Sequence, residues 1–77
     1  MTSVKDCIGD FERALELLER AELSKDPKGI ARAVHHGRMA LYTISRRLEH
    51  LQPTADEWAQ IDERMGRLER VLAKHDP

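Results

Sequence analysis

Residues 30–51 read IARAVHHGRMALYTISRRLEHL, and residues 58–72 read WAQIDERMGRLERVL. In the first stretch Ile30, Val34, Gly37, Leu41, Ile44, Leu48 and Leu51 follow one another at alternating steps of four and three. The second continues the beat with Trp58, Ile61, Met65, Leu68 and Leu72. Such spacing puts each set on one face of an α-helix, at the alternating positions of a packing seam. Gly37 lies on the seam itself. A mid-helix glycine costs about 1 kcal/mol relative to alanine, so the spacing predicts a close approach there, by Trp58 or Phe11.

Outward from these two stretches, the chain divides at two breaks. Lys25-Asp26-Pro27-Lys28 separates the seam from an earlier helical segment. Asp26 is a good N-cap, and Pro27 suits the first helical position, where a missing N–H costs nothing. Gln52-Pro53 ends the middle helix, because a residue before proline avoids the α region. Thr54-Ala55-Asp56-Glu57 then forms a capping box for the next helix. Ser3 caps the first helix, whose stripe is Val4, Ile8, Phe11, Leu15 and Leu18, flanked by Cys7 and Ala14. Gly9 weakens its first turns and predicts an ordered start nearer Asp10. The three predicted helices cover about residues 3–24, 27–51 and 54–74. Helix should make up about three-quarters of the chain, well above the usual third. No segment alternates with period two, so no strand is expected.

Short connections make neighbouring helices antiparallel. The expected fold is all-α: one domain over residues 1–77, a three-helix antiparallel bundle (up-down-up) with a long central helix. Its main seam should lie between helices two and three, burying Leu41, Ile44, Leu48, Trp58, Ile61, Met65 and Leu68. An alternative leaves that hairpin intact and packs helix one on a second chain. A chain of 77 residues hides only about 60% of its unfolded surface. Small domains of this kind need very regular packing or a partner. A marginal core and the leftover apolar side chains Leu17, Leu23 and Val71 favour a homodimer.

Cys7 is the single cysteine, so an intrachain disulfide and a multi-cysteine zinc site are excluded; it reads as a small apolar residue. No apolar run approaches the ~20 residues of a membrane span, and the N-terminus lacks a signal peptide's basic start and apolar stretch. A soluble, cytoplasmic protein is expected, with no membrane partner. The net charge is −1, which argues against a general nucleic-acid binder.

No catalytic pattern interrupts the helices. The glycines are isolated and form no phosphate loop, and no serine sits in a nucleophile motif. His35 and His36 are adjacent and point about 100° apart, whereas a helical zinc site wants ligands three or four apart on one face. The carboxylates of the first and third helices are interleaved with arginines and read as salt-bridged, solvated faces. The expectation is no enzyme, no metal and no cofactor.

Charge is distributed unevenly. Residues 3–25 carry four basic and six acidic side chains, and so does the segment from Thr54 onward. The middle helix with its flanks has five basic residues, Lys28, Arg32, Arg38, Arg46 and Arg47, against Asp26 and Glu49. One consequence is internal: a basic helix flanked by acidic ones gains weak stabilising ion pairs. The other concerns the outward face. At about 100° per residue, Met39 is diametrically opposite the seam, with Arg32, His36, Thr43, Arg46 and His50 around it and His35 and Tyr42 beside it. Met, Tyr and Arg are enriched at protein interfaces. Arg32, His35, Met39, Tyr42 and Arg46 are therefore the candidate partner-binding residues, and Leu17, Leu23 and Val71 a competing set.

In size and plan the chain is similar to several groups of small bacterial or phage helical proteins: secretion co-chaperones, antiactivators and phage inhibitors. That resemblance implies a class and carries over no functional residue. The expected function is a small non-enzymatic helical adaptor or inhibitor that binds another protein with an acidic or mixed surface. Two rivals are a nucleic-acid-associated regulator using the basic middle helix and a purely structural oligomerisation module.

Overall fold

A computed structural model of the chain describes residues 3–75. It contains three α-helices, α1 (Val4–Ser24), α2 (Pro27–Leu48) and α3 (Ala55–Ala73). Helix accounts for 85% of the structure, with no strand among the described residues. The helices run up-down-up, and the bundle measures 38 × 21 × 20 Å.

Local chemistry sets the boundaries. The Ser3 hydroxyl accepts the Asp6 N–H at 3.2 Å, and the Asp6 carboxylate accepts the Ser3 N–H at 3.1 Å. This reciprocal cap starts α1 at Val4, not near Asp10, so Gly9 is absorbed without fraying. Lys25 takes a left-handed conformation at φ 56°, which closes α1 and turns the chain within two residues. The Ser24 hydroxyl donates to the Ala21 carbonyl at 2.8 Å, and Asp26 accepts the Lys28 N–H at 3.3 Å to open α2. The Thr54–Glu57 capping box forms as the sequence implies.

The middle helix is shorter than its pattern. It stops at Leu48, and the N–H groups of Glu49, His50 and Leu51 reach back only three residues, to Arg46, Arg47 and Leu48. Pro53 denies the chain a further α turn, and the last turn tightens instead.

The core sits around α1. Cys7, Phe11, Ala14, Leu15 and Leu18 are all buried, facing Ala33, Val34, Ile44 and Leu48 of α2 and Ile61, Leu68 and Leu72 of α3. Here the expected α2–α3 seam needs correction: those two helices are the least closely packed pair. Leu41 and Met65 are only half-buried, and Trp58 is 40% exposed. Register explains Trp58. A side chain on Gly37 would meet Leu72 at 3.1 Å, Leu18 at 3.3 Å and Leu68 at 3.5 Å, so Gly37 stands level with Leu68–Leu72. Counting back along antiparallel helices from that level, Trp58 falls opposite Glu49, beyond the end of α2. The neighbours that use the Gly37 gap are thus Leu18 and Leu72, and neither Trp58 nor Phe11.

Candidate partner-binding face

The five sequence-nominated residues, Arg32, His35, Met39, Tyr42 and Arg46, are all exposed. Their common origin is the helical period: α2 turns Gly37, Ile44 and Leu48 inward, which forces residues half a turn away to face outward. Tyr42 is 60% and Met39 49% exposed. One Nη of Arg46 donates to the Tyr42 hydroxyl at 3.0 Å, and the guanidinium lies 5.7 Å from the ring centroid. Stacking and hydrogen bonding one turn apart hold this pair as a raised amphipathic ridge.

The row does not form a single pocket. Arg32 looks toward α1 and lines an open groove of about 330 Å³ with Leu17, Ala21, Gly29, Ala33 and His36. Met39 lines the next groove along the same α1–α2 boundary, about 270 Å³, with Arg13, His36, Ala40 and Thr43 among its walls. His35 looks the other way, onto a groove of about 560 Å³ that includes Ile30, Val34, Arg38 and His75. Tyr42 and Arg46 stand on the ridge between. The competing apolar set also divides. Leu17 joins Arg32 across the α1–α2 groove, Leu23 is 82% exposed, and Val71 packs against the core. The sequence pattern sets Leu17 apart from the α2 face as a rival, whereas the packing makes the two adjacent. Leu17 lies one turn from the buried Ala14 and the half-buried Ala21 on α1, but only the α1–α2 crossing shows which residues stand opposite.

The electrostatics sharpen the contrast between helices. Acidic residues of α1 pair mainly with α3, Glu12 with Arg64 at 2.7 Å and Glu19 with Arg67 at 3.7 Å, while Glu22 meets the His75 ring, past the end of α3, at 3.2 Å. From α2, Arg47 reaches Asp10 at 3.5 Å. Arg32 and Arg46 pair with no carboxylate among the described residues. The ion pairs among the described residues therefore draw on Arg47 of α2 and not on Arg32 or Arg46. These exposed pairs stabilise the fold by at most about 1 kcal/mol each.

Nucleophiles and ligands are sparse. Cys7 is wholly buried, and burial pushes its thiol above its ordinary pKa; a thiol so placed is unreactive. Among the described residues no group of three His, Cys, Asp or Glu side chains is arranged to hold a metal ion. No helix among them is long and apolar enough to cross a membrane. No protein-family model matches the chain, and neither curated proteins nor solved structures provide a significant match.

Proposed function

We propose that the protein is a small non-enzymatic adaptor or inhibitor that binds another protein through the outward face of α2. The residues assigned to contact it are Arg32, His35, Met39, Tyr42 and Arg46. The observation that carries this reading is the Tyr42–Arg46 ridge, with Met39 one turn away: large interface-type side chains that the core does not use. Binding energy concentrates in such residues. The partner offers an acidic or mixed surface, because Arg32 and Arg46 bring positive charge that pairs with no carboxylate among the described residues. The mechanism is occlusion, a rigid helical surface covering a groove or dimerisation site. We propose that it also self-associates as a homodimer. The cytoplasm is the compartment we propose, since a lone buried thiol suits a reducing environment.

The test begins with capture from the native cell and mass spectrometry. The captured protein is then titrated calorimetrically against variants. Tyr42→Ala and Arg46→Ala should keep the fold and cost about 1–2 kcal/mol or more of affinity. Raising salt should slow association with an acidic partner. Full affinity in both variants, with loss in a folded Leu17→Ser, would move the site to the α1–α2 groove. A rival reading, nucleic-acid binding, draws on the positive charge of α2 and requires affinity for DNA or RNA that falls steeply with salt.

A further inference from the structure

The α2–α3 side of the bundle carries apolar surface that its own helices do not cover. Leu41 on α2 and Met65 on α3 are half-buried, and Trp58 and Tyr42 are more exposed still. Beside them α2 presents Arg46, and α3 presents the carboxylates of Asp62 and Glu69 with Arg70 reaching back beside Gly66. Gly66 lies on the same side of α3. A side chain placed there would meet only the tip of Arg70, at 3.6 Å. Nothing inside the monomer explains a helical glycine at that position, which costs about 1 kcal/mol.

We infer that a second copy of this chain covers the α2–α3 face, about a two-fold axis parallel to the helices. Such an axis keeps every residue at its own height and exchanges left for right. It lays α2 of one copy antiparallel on α3 of the other, making a four-helix interface of alternating direction. Heights follow from the level of Gly37 with Leu68–Leu72. At matched heights Tyr42 falls over Met65 and Gly66, and Arg46 over Asp62. The tyrosine ring enters the space that Gly66 leaves, and Arg46 meets the Asp62 carboxylate. An axis across the helices would instead stack α2 on α2 and set arginine against arginine. The α1–α2 face is a poorer self-partner, because Arg13, Arg32 and Arg47 line its grooves and Asp10, the carboxylate beside them, is already paired with Arg47. The dimer leaves Arg32 and Met39 open on the other flank of α2, with Tyr42 at the boundary. The inference rests on the homodimer of the reading above; because the second copy covers Tyr42 and Arg46, the other protein partner competes with it for α2.

Trp58 is the single tryptophan and borders this face, so its emission reports on this interface. Sedimentation equilibrium and Trp58 fluorescence are measured together on the full chain across a hundredfold dilution. The expected result is a mass that rises from 8.9 kDa toward twice that value, with emission shifting to the blue over the same concentrations. Gly66→Glu fills the tyrosine's space and should remain helical, monomeric and red-shifted throughout. Asp62→Arg changes an exposed side chain, keeps the fold, and should raise the dissociation constant about tenfold or more by setting like charges together. A single 8.9 kDa species at every concentration overturns the homodimer itself. A dimer that survives both substitutions with Trp58 emission unmoved overturns only this face. A partner that binds the monomeric Gly66→Glu chain at least as tightly as the parent is the expected sign of that competition, whereas a partner that binds and leaves the dimer intact overturns it while the homodimer stands.

Discussion

Gly9 and Gly37 place the same residue in two opposite situations. Gly9 is exposed, and a Cβ there would meet nothing within 4 Å. Its glycine weakens α1 without serving the packing. Gly9→Ala should therefore stabilise the protein by about 0.5–1 kcal/mol, the gain from backbone entropy alone. Gly37→Ala gains the same entropy but must push Leu72 and Leu18 from 3.1 and 3.3 Å. Leu18 is fully buried and has nowhere to retreat, and overpacking costs about 1–3 kcal/mol. The expected net is a loss of about 1 kcal/mol. Urea denaturation of the two variants checks the pair, and equal stabilisation by both would mean that the leucines yield freely. The sequence marks Gly37 as lying on the seam through its period. It could not say which side chains would press against it, because that depends on the crossing of three helices.

At the scale of the element, α1 shows how a helix end couples to pH. The backbone N–H and then the hydroxyl of Ser3 hold the Asp6 carboxyl below its ordinary pKa. A depressed folded pKa stabilises above the unfolded value, near ~3.9, and that contribution disappears as pH falls through the folded value. Acidification from about pH 5 to about pH 2.5 should therefore cost the parent more stability than Asp6→Asn, which has no carboxylate to protonate. Parallel unfolding curves for the two chains over that range would show that the cap does not carry the effect. Caps of this kind were readable in the sequence, since their partners lie three residues apart. The end of α2 was less readable. Its periodicity extends to Leu51 although the helix stops at Leu48, because the apolar pattern records which residues face the core and not which of them keep helical bonds.

At the scale of the whole molecule, α1 is the centre and the α2–α3 side is the open edge. Phe11 and Leu18 are wholly buried, between two neighbouring helices rather than against one. Leu18→Ala should cost about 2–5 kcal/mol, a large part of the total stability of a domain this small. Leu48→Ala, also at a buried site, should fall in the same range. Trp58→Ala, measured at concentrations dilute enough to hold the monomer, should cost much less, since its side chain already meets solvent. Circular dichroism during urea unfolding ranks the three. A Trp58 variant as damaging as Leu18→Ala would show that the α2–α3 seam, and not α1, holds the fold together.

The sequence by itself determined three helices, their caps, their two breaks and the inward face of each. All of these depend on interactions spanning four residues or fewer, or on a period that one helix displays alone. The outward row Arg32, His35, Met39, Tyr42 and Arg46 was legible for the same reason, as the complement of the buried stripe. Only the tertiary structure decided how the stripes are shared. In a three-helix bundle each helix touches two neighbours, and a heptad states which face is inside without dividing it between them. The division made α1 central and joined Leu17 to Arg32. Helix lengths and register then left Trp58 beyond the end of α2, and Tyr42, Leu41 and Met65 on an uncovered side. Those placements follow from side chains meeting across helices far apart in sequence, and no local pattern encodes that distance.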